Sequence, residues 1–302
     1  MMKRRIVCVL LALLIALPLA AGCQKGPGEL TLYGVNTGKA DCLLFCLPDG
    51  QSLLVDTGLK DTYPRVKAVL ELAGVRKIDH LILTHGHKDH IGGLEQLAKD
   101  FKIGTIYTNA YDTDTYSKKE QKFLLGIAKN WEQPRPAMED AEGRTLAGLL
   151  LGNVSVNFLA PSRAYSDAED DNNNSLVLRI THGDVVFLLM ADATGLIEEE
   201  LLSWYGPPEY GGGTHYLSAS FLKAGHHGQA GANTQAFIEA VAPEAVYLTG
   251  NRAEDVDSPD EAVLGRYEAI GAETYINEGN QLAIVWVSDG AALSTGEYIN
   301  AD

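Results

Sequence analysis

Basic residues are scarce in this chain. Lys and Arg number 24 against 40 Asp and Glu, a formal net charge of −16. Stable binding of duplex nucleic acid needs clustered cations that displace counterions, so this balance argues against a duplex-binding face. Cysteines are also few, four in all. Cys42 and Cys46 sit in one apolar run with Leu43-Leu44-Phe45 between them. Four strand residues span ~13 Å, beyond disulfide reach, so both are expected to be buried thiols that pack as small hydrophobes. The chain shows no internal repeat, no low-complexity tract, and no Ser-His-Asp or Cys-His signature of a nucleophilic enzyme. Long apolar runs are missing too, with one exception.

That exception is at the start. Lys3, Arg4 and Arg5 precede an apolar stretch from Ile6 to Ala21, which closes on Ala20-Ala21-Gly22-Cys23. A basic segment, an apolar segment and small residues in that order predict a secretory signal peptide over residues 1–22. The last four residues resemble a bacterial lipobox, which predicts lipidation at Cys23 and a membrane-anchored lipoprotein on the outer face of the cytoplasmic membrane. A plain signal peptide or an uncleaved anchor is the simpler alternative. Residues 23–29 read as a short tether, and removing the leader takes the charge from −16 to −19.

From residue 30 to residue 302 no composition break marks a boundary, so a single domain is expected. Apolar runs predict strands at Leu30–Val35, Cys42–Leu47, Ser52–Val55, His80–Leu83 and Ile103–Tyr107, with helices at Tyr63–Ala73 and Ile91–Lys99. An amphipathic helix is expected at Lys118–Lys129. Strands resume at Val154–Leu159, Leu176–Ile180 and Val185–Met190, then Ala219–Lys223, Ala245–Leu248, Thr274–Ile276 and Leu282–Val287. Helices are expected at Thr194–Trp204, Thr234–Val241 and Pro259–Ile270. The pattern suggests an α/β (α+β) fold of two sheets face to face with helices outside.

Five of the eight histidines fall in two clusters. The first, His85-Gly86-His87-Lys88-Asp89-His90, follows an apolar strand. Residues two apart in extended chain point the same way, so His85 and His87 can share one ion. Asp89 and His90 turn into a helix and can serve a second. Gly86, Gly92 and Gly93 let the loop fold tightly around them. Imidazole and carboxylate donors together suit zinc and similar ions. The alternative, a solvated polar turn, fits poorly with three His and one Asp in six residues.

This spacing resembles the signature of the metallo-β-lactamase superfamily. Finer features resemble the hydrolase domain of ComEC-type competence proteins: Gly38-Lys39-Ala40-Asp41-Cys42, Leu53-Leu54-Val55-Asp56-Thr57-Gly58, Asn174-Ser175-Leu176-Val177-Leu178, Phe187-Leu188-Leu189-Met190-Ala191-Asp192 and Leu222-Lys223-Ala224-Gly225-His226-His227-Gly228. The resemblance implies a four-layer αββα sandwich with two divalent metal ions at one edge, zinc foremost and manganese as the alternative. It further implies that His85 and His87 bind the first ion, that Asp89, His90 and His226 bind the second, and that Asp192 bridges. His227 is then either a ligand or a group facing substrate, so Asp89, Asp192 and His227 are the expected catalytic groups. Asp56 is expected to support the histidines from behind. Asn174, Ser175, Lys223 and Asn251 are expected near ligands or substrate, with a solvated strand end as the equal alternative for Lys223.

The chain also departs from the superfamily pattern. Where many members carry a third His for the first ion, it has Asn172-Asn173-Asn174-Ser175, which implies a weaker first site or one completed by water. Gln229 replaces a usual Ser, and Ser258-Pro259 stands where His-Pro is common. Asp167, Glu169, Asp170 and Asp171 could ligate calcium, although an acidic surface loop is the simpler reading. His80, His182 and His215 are expected to be ordinary strand or loop residues.

Together these features imply an exported hydrolase that uses a metal-bound hydroxide on a phosphodiester, of DNA type or at the cell surface. Alternatives are a lactone, thioester or β-lactam substrate, a choline-phosphate or teichoic-acid esterase, or a surface lipoprotein that binds DNA or metal without turnover. Protein partners are not indicated.

Overall fold

Alternation along the strands assigns successive residues to different cores. In β1 (Leu30–Val35), Leu30 and Leu32 face one apolar cluster while Tyr33 and Val35 face another. In β2 (Leu43–Cys46), Leu43 and Phe45 join the first cluster, Leu44 and Cys46 the second. Both faces of these strands are buried, which is why they read as continuous apolar runs. The computed structural model describes residues 28–109, 130–132, 148–166, 170–253 and 255–301. The leader at 1–22, Cys23, most of the tether, the expected helix Lys118–Lys129, and Asp167 with Glu169 lie outside the described residues.

β3 (Ser52–Val55), β4 (Lys77–Leu83), β5 (Lys102–Thr108) and β6 (Asn130–Glu132) continue the first sheet. The second is built from β7 (Gly148–Leu151), β8 (Val154–Ala160), β9 (Val177–His182), β10 (Val185–Leu189), β11 (Phe221–Lys223), β12 (Ala245–Leu248) and β13 (Glu273–Ile276). β14 (Gln281–Ser288) and β15 (Glu297–Asn300) return to the first sheet, whose order is β15-β14-β1-β2-β3-β4-β5-β6. The second has the order β13-β12-β11-β10-β9-β8-β7. Each sheet is mixed: β3 to β6 and β10 to β13 run parallel, and the remaining pairs are antiparallel.

The sheets pack face to face. Phe45, Phe158, Phe187, Phe221, Tyr247 and Trp286 lie between them, all fully or nearly fully buried. Helices Tyr63–Leu72 and Leu94–Asp100 cover the outer face of the first sheet, through Val66, Val69 and Leu97 among others. Helices Gly195–Tyr205, Gln235–Val241 and Glu261–Ala269 cover the second, through Ile197, Leu201, Phe237, Ile238 and Tyr267. The four-layer αββα sandwich is therefore the fold. No helix among the described residues is long and apolar enough to cross a membrane.

Some expectations are corrected. The single helix at Ile91–Lys99 is two, Lys88–Ile91 and Leu94–Asp100, broken at Gly92-Gly93. A Cβ on Gly92 would lie 2.3 Å from the Lys88 carbonyl oxygen, and one on Gly93 would lie 2.4 Å from that of Thr57. The bare backbone lets the loop after β3 press against the histidine turn, where Thr57 N–H donates to the His90 carbonyl at 2.6 Å. β6, β7 and β15 have no counterpart among the expected strands. Cys42 is a buried free thiol, as expected, and Cys46 is equally buried.

Phe187 meets the edge of Phe45 at 5.6 Å between ring centroids and is wholly buried. Phe187→Ala is expected to destabilise the fold by about 3–5 kcal/mol. Urea unfolding checks this, and a loss below about 1 kcal/mol would show that the two sheets do not depend on this contact.

Candidate metal centre

Parallel strands end together, and this fold uses both sets of ends. Asp56 follows β3, Thr84 and His85 follow β4, Asp192 lies three residues past β10, and His227 lies four past β11. Asp41 precedes β2 and Ser175 precedes β9; both strands run antiparallel to their neighbours β3 and β10 and so begin at the same edge. Two short turns then aim side chains inward. Lys88–Ile91 presents Asp89 and His90, and the turn at Gly225–Gly228 reverses through His226 and His227, both at positive φ (44° and 53°).

Two groups of donor atoms form at that edge. One joins Asp89, His90, Asp192 and His227; the other joins His85, His87 and Asp192. Asp192 belongs to both. Its Oδ1 lies 3.2 Å from His90 Nε2, and its Oδ2 lies 3.4 Å from His227 Nε2 and 3.9 Å from His85 Nε2. Asp89 Oδ2 is 3.5 Å from His227 Nε2.

Each buried histidine is held from behind by its other nitrogen. His90 Nδ1 is 2.8 Å from Asp56 Oδ2, His227 Nδ1 is 3.0 Å from Thr249 Oγ1, and His85 Nδ1 is 3.2 Å from Thr84 Oγ1 and 3.4 Å from Ser175 Oγ. The front nitrogens, Nε2 of His85, His90 and His227, are buried without a hydrogen-bond partner, as is Asp192 Oδ1. Leaving a buried polar atom unpaired costs about 1–3 kcal/mol, and here four such atoms converge. Divalent cations, one in each donor group, would satisfy them, and the imidazole-carboxylate donor sets fit such ions.

The electrostatics of the chain without ions agree. Burial would depress the His90 and His227 imidazoles, but the Asp192 carboxylate, with Asp56 behind His90 and Asp41 and Asp89 beside His227, outweighs it; His90 rises well above the ordinary value and His227 to about 10. Burial would raise Asp192 and Asp89, yet His227 and His90 hold Asp192 well below the usual range and Asp89 at about 2. His85 is depressed, by burial first and by His90 second. Asp56 is raised by burial, which its bonds to His90 and Thr84 only partly offset.

Lys223 corrects the expectation of a solvated or substrate-facing strand end: it is wholly buried. Its ammonium pairs with Asp41 Oδ2 at 2.5 Å and donates to the Ala191 carbonyl at 3.1 Å. Ala191 has a positive φ of 48° and immediately precedes Asp192. Asp41 in turn accepts from Thr249 Oγ1 at 2.6 Å and lies 3.4 Å from His227 Nδ1. One buried cation thus ties the bridging turn to the support of His227. Asp41 was not singled out in the sequence. Its place in the Gly38–Cys42 segment was the available signal, but its partners Lys223 and Thr249 are far away in the chain.

His226 is also corrected. It belongs to neither donor group, and His227 takes the place expected for it, because the kink at these two residues turns the second ring into the cluster. Ser175 stands behind His85 and accepts from the Asp192 N–H at 3.2 Å. Asn174 does not face the donors: it clasps Tyr165 through two hydrogen bonds of 2.9 Å. Asn251 caps its own turn at Ala253 and lines a separate cavity of about 710 Å³. His80 and His182 pair with Gln51 and Ser288, away from the site.

The family model of the metallo-beta-lactamase superfamily matches residues 35–249. The chain belongs to this superfamily. It is 30% identical over 220 residues to competence protein ComA of Neisseria gonorrhoeae, covering 72% of this chain and 27% of that protein. It is 25% identical over 276 residues to ComE operon protein 3 of Bacillus subtilis (strain 168), covering 86% of this chain and 32% of that one. The chain therefore spans about a third or less of the length of these relatives. A solved diphosphatase of the PhnP family shares the fold at TM-score 0.51 and 14% identity, over 86% of this chain and 97% of its own. By class the chain is a metal-dependent hydrolase of the superfamily, and the superfamily fold implies divalent ions at the clustered His and Asp.

Without ions, protonated His90 and His227 stabilise the fold fully below the ordinary imidazole range, and that contribution is lost as pH rises, for His227 through about 10. A cation must displace those protons, so apparent affinity should rise with pH up to about 10, with proton release. Calorimetric titration with zinc in buffers of different ionisation heat reads this directly; equal heats in every buffer would contradict it. In the same assay His227→Ala should lose one ion per chain, while His226→Ala should bind both.

Proposed function

We propose that this chain is an exported phosphodiesterase working with two divalent cations, zinc preferred. The observation that supports it most is the double membership of Asp192, whose Oδ2 lies between His227 of one donor group and His85 of the other while its Oδ1 faces His90. Displacement at phosphorus needs charge stabilised on the attacking and the leaving oxygen at once, which a paired-ion site supplies together with an activated water. Asp192 fixes the spacing of the two groups. Asp56, Thr249, Thr84 and Ser175 hold the imidazoles in the orientation that leaves each Nε2 free.

Each donor group opens to solvent at one member. His85, His90 and His227 are sealed, whereas the side chains of His87 and Asp89 remain 33% and 26% exposed. Substrate approaches over that rim. The net charge of −16 works against a long polyanion, so a small or locally held phosphodiester fits better than duplex DNA. The likeness to a PhnP-family diphosphatase is compatible with phosphorus chemistry as a fold-level analogy.

His85→Ala and Asp89→Ala should each reduce hydrolysis of bis-nitrophenyl phosphate by at least about a hundredfold while circular dichroism stays native. Full activity in a folded Asp89→Ala protein would sink the proposal. A parallel panel of lactone and cephalosporin substrates tests the bond type. Export as a Cys23-anchored lipoprotein, supported by the basic and apolar leader, predicts a diacylated Cys23 at the mature N-terminus in mass spectrometry. A mature chain starting elsewhere would refute the anchor and leave the chemistry standing.

A further inference from the structure

The fourth histidine of the cluster is wired in the opposite sense from the other three. His85, His90 and His227 are each held at Nδ1 and leave Nε2 unpaired. His87 is held at Nε2, which lies 3.0 Å from Asp171 Oδ2. We propose that Asp171 is a positioning residue of the first metal site: its carboxylate takes the Nε2–H of His87 and leaves Nδ1 as the atom presented to the ion. This rests on the two-ion reading above.

A neutral imidazole has one N–H and one lone pair, and an ionised carboxylate only accepts. A carboxylate at Nε2 therefore selects the tautomer whose free lone pair is on Nδ1, and it fixes the ring plane. Asp171 itself is not a member of the His85–His87–Asp192 donor group. It touches that group only through His87, so it is a support of a ligand and not a ligand. The buried, unpartnered Nε2 of His85 marks where the ion sits, and the His87 ring stands edge-on to His85 at 4.6 Å between centroids.

Asp171 is also well placed to be rigid. It opens the 3-10 turn Asp171–Asn174, which Asp170 caps through the Asn172 N–H at 3.1 Å. Asn173 Oδ1 accepts from Thr194 Oγ1 at 2.7 Å, Asn174 clasps Tyr165, and Ser175 stands behind His85. The turn is thereby tied to both donor groups. The donor group that holds His87 has three members against four in the other, so Asp171 strengthens from outside the site with fewer protein ligands.

The test compares wild type, Asp171→Ala, Asp171→Asn and His87→Ala by zinc competition with a chromophoric chelator, and by the visible absorption of the cobalt(II)-loaded proteins. Asp171→Ala should weaken one of the two ions by about 10–100-fold and leave the other within about twofold, with a shift in only part of the cobalt spectrum. Asp171→Asn, which keeps an accepting carbonyl, should recover part of that loss. His87→Ala should lose that ion altogether. Unchanged affinities in both Asp171 variants would overturn the proposal, and so would a loss as complete as that of His87→Ala, which would make Asp171 a ligand. A wild type that binds no ion would overturn the two-ion reading itself, an outcome distinct from either.

Discussion

Like charges crowded out of water are the constraint around which this molecule is built. Asp41, Asp56 and Asp192 are almost wholly buried, Asp89 is largely so, and all four lie around His90 and His227. Buried carboxylates are tolerable only when paired and hydrogen-bonded. Lys223 answers part of that charge from within the protein, and protons on His90 and His227 answer more when no ion is bound. Cations supply the rest. The strained Ala191, the kink at His226-His227 and the bare backbone at Gly92-Gly93 all serve to bring these groups within reach of one another.

The sandwich supplies the stiffness that such a cluster requires. Its donors come from strand ends of both sheets, so no single element can shift without moving against a packed aromatic core. The supporting bonds reach across the interface: Tyr247 on β12 donates to the Val35 carbonyl at 3.1 Å, and Thr249 reaches Asp41 from the opposite sheet. The polar network at the edge and the apolar layer between the sheets are two parts of one arrangement. The packing sets positions, and the network sets orientations.

Much of this could be read from residues alone because the strongest signals are local. An apolar strand followed by His85-Gly86-His87-Lys88-Asp89-His90 announces both the strand end and the donors, and strands with interleaved helices announce two sheets face to face with helices outside. The rest depends on contacts between residues remote in sequence. His226 and His227 are identical side chains one position apart, and only the backbone kink decides which faces inward. Lys223 looks like a strand end in water until Asp41, some 180 residues earlier, is found against its ammonium. Asp171 sits in an acidic stretch whose composition suggests a surface loop, and its bond to His87 depends on a turn that composition does not reveal.

The proposed centre has two ions that share Asp192, with His227 rather than His226 closing the second site. Anomalous diffraction at the zinc absorption edge from crystals grown with zinc tests this most directly. Two peaks are predicted, one among His85, His87 and Asp192 and the other among Asp89, His90, Asp192 and His227, with the His226 ring outside both. A single peak, or a peak coordinated by His226 in place of His227, would contradict it.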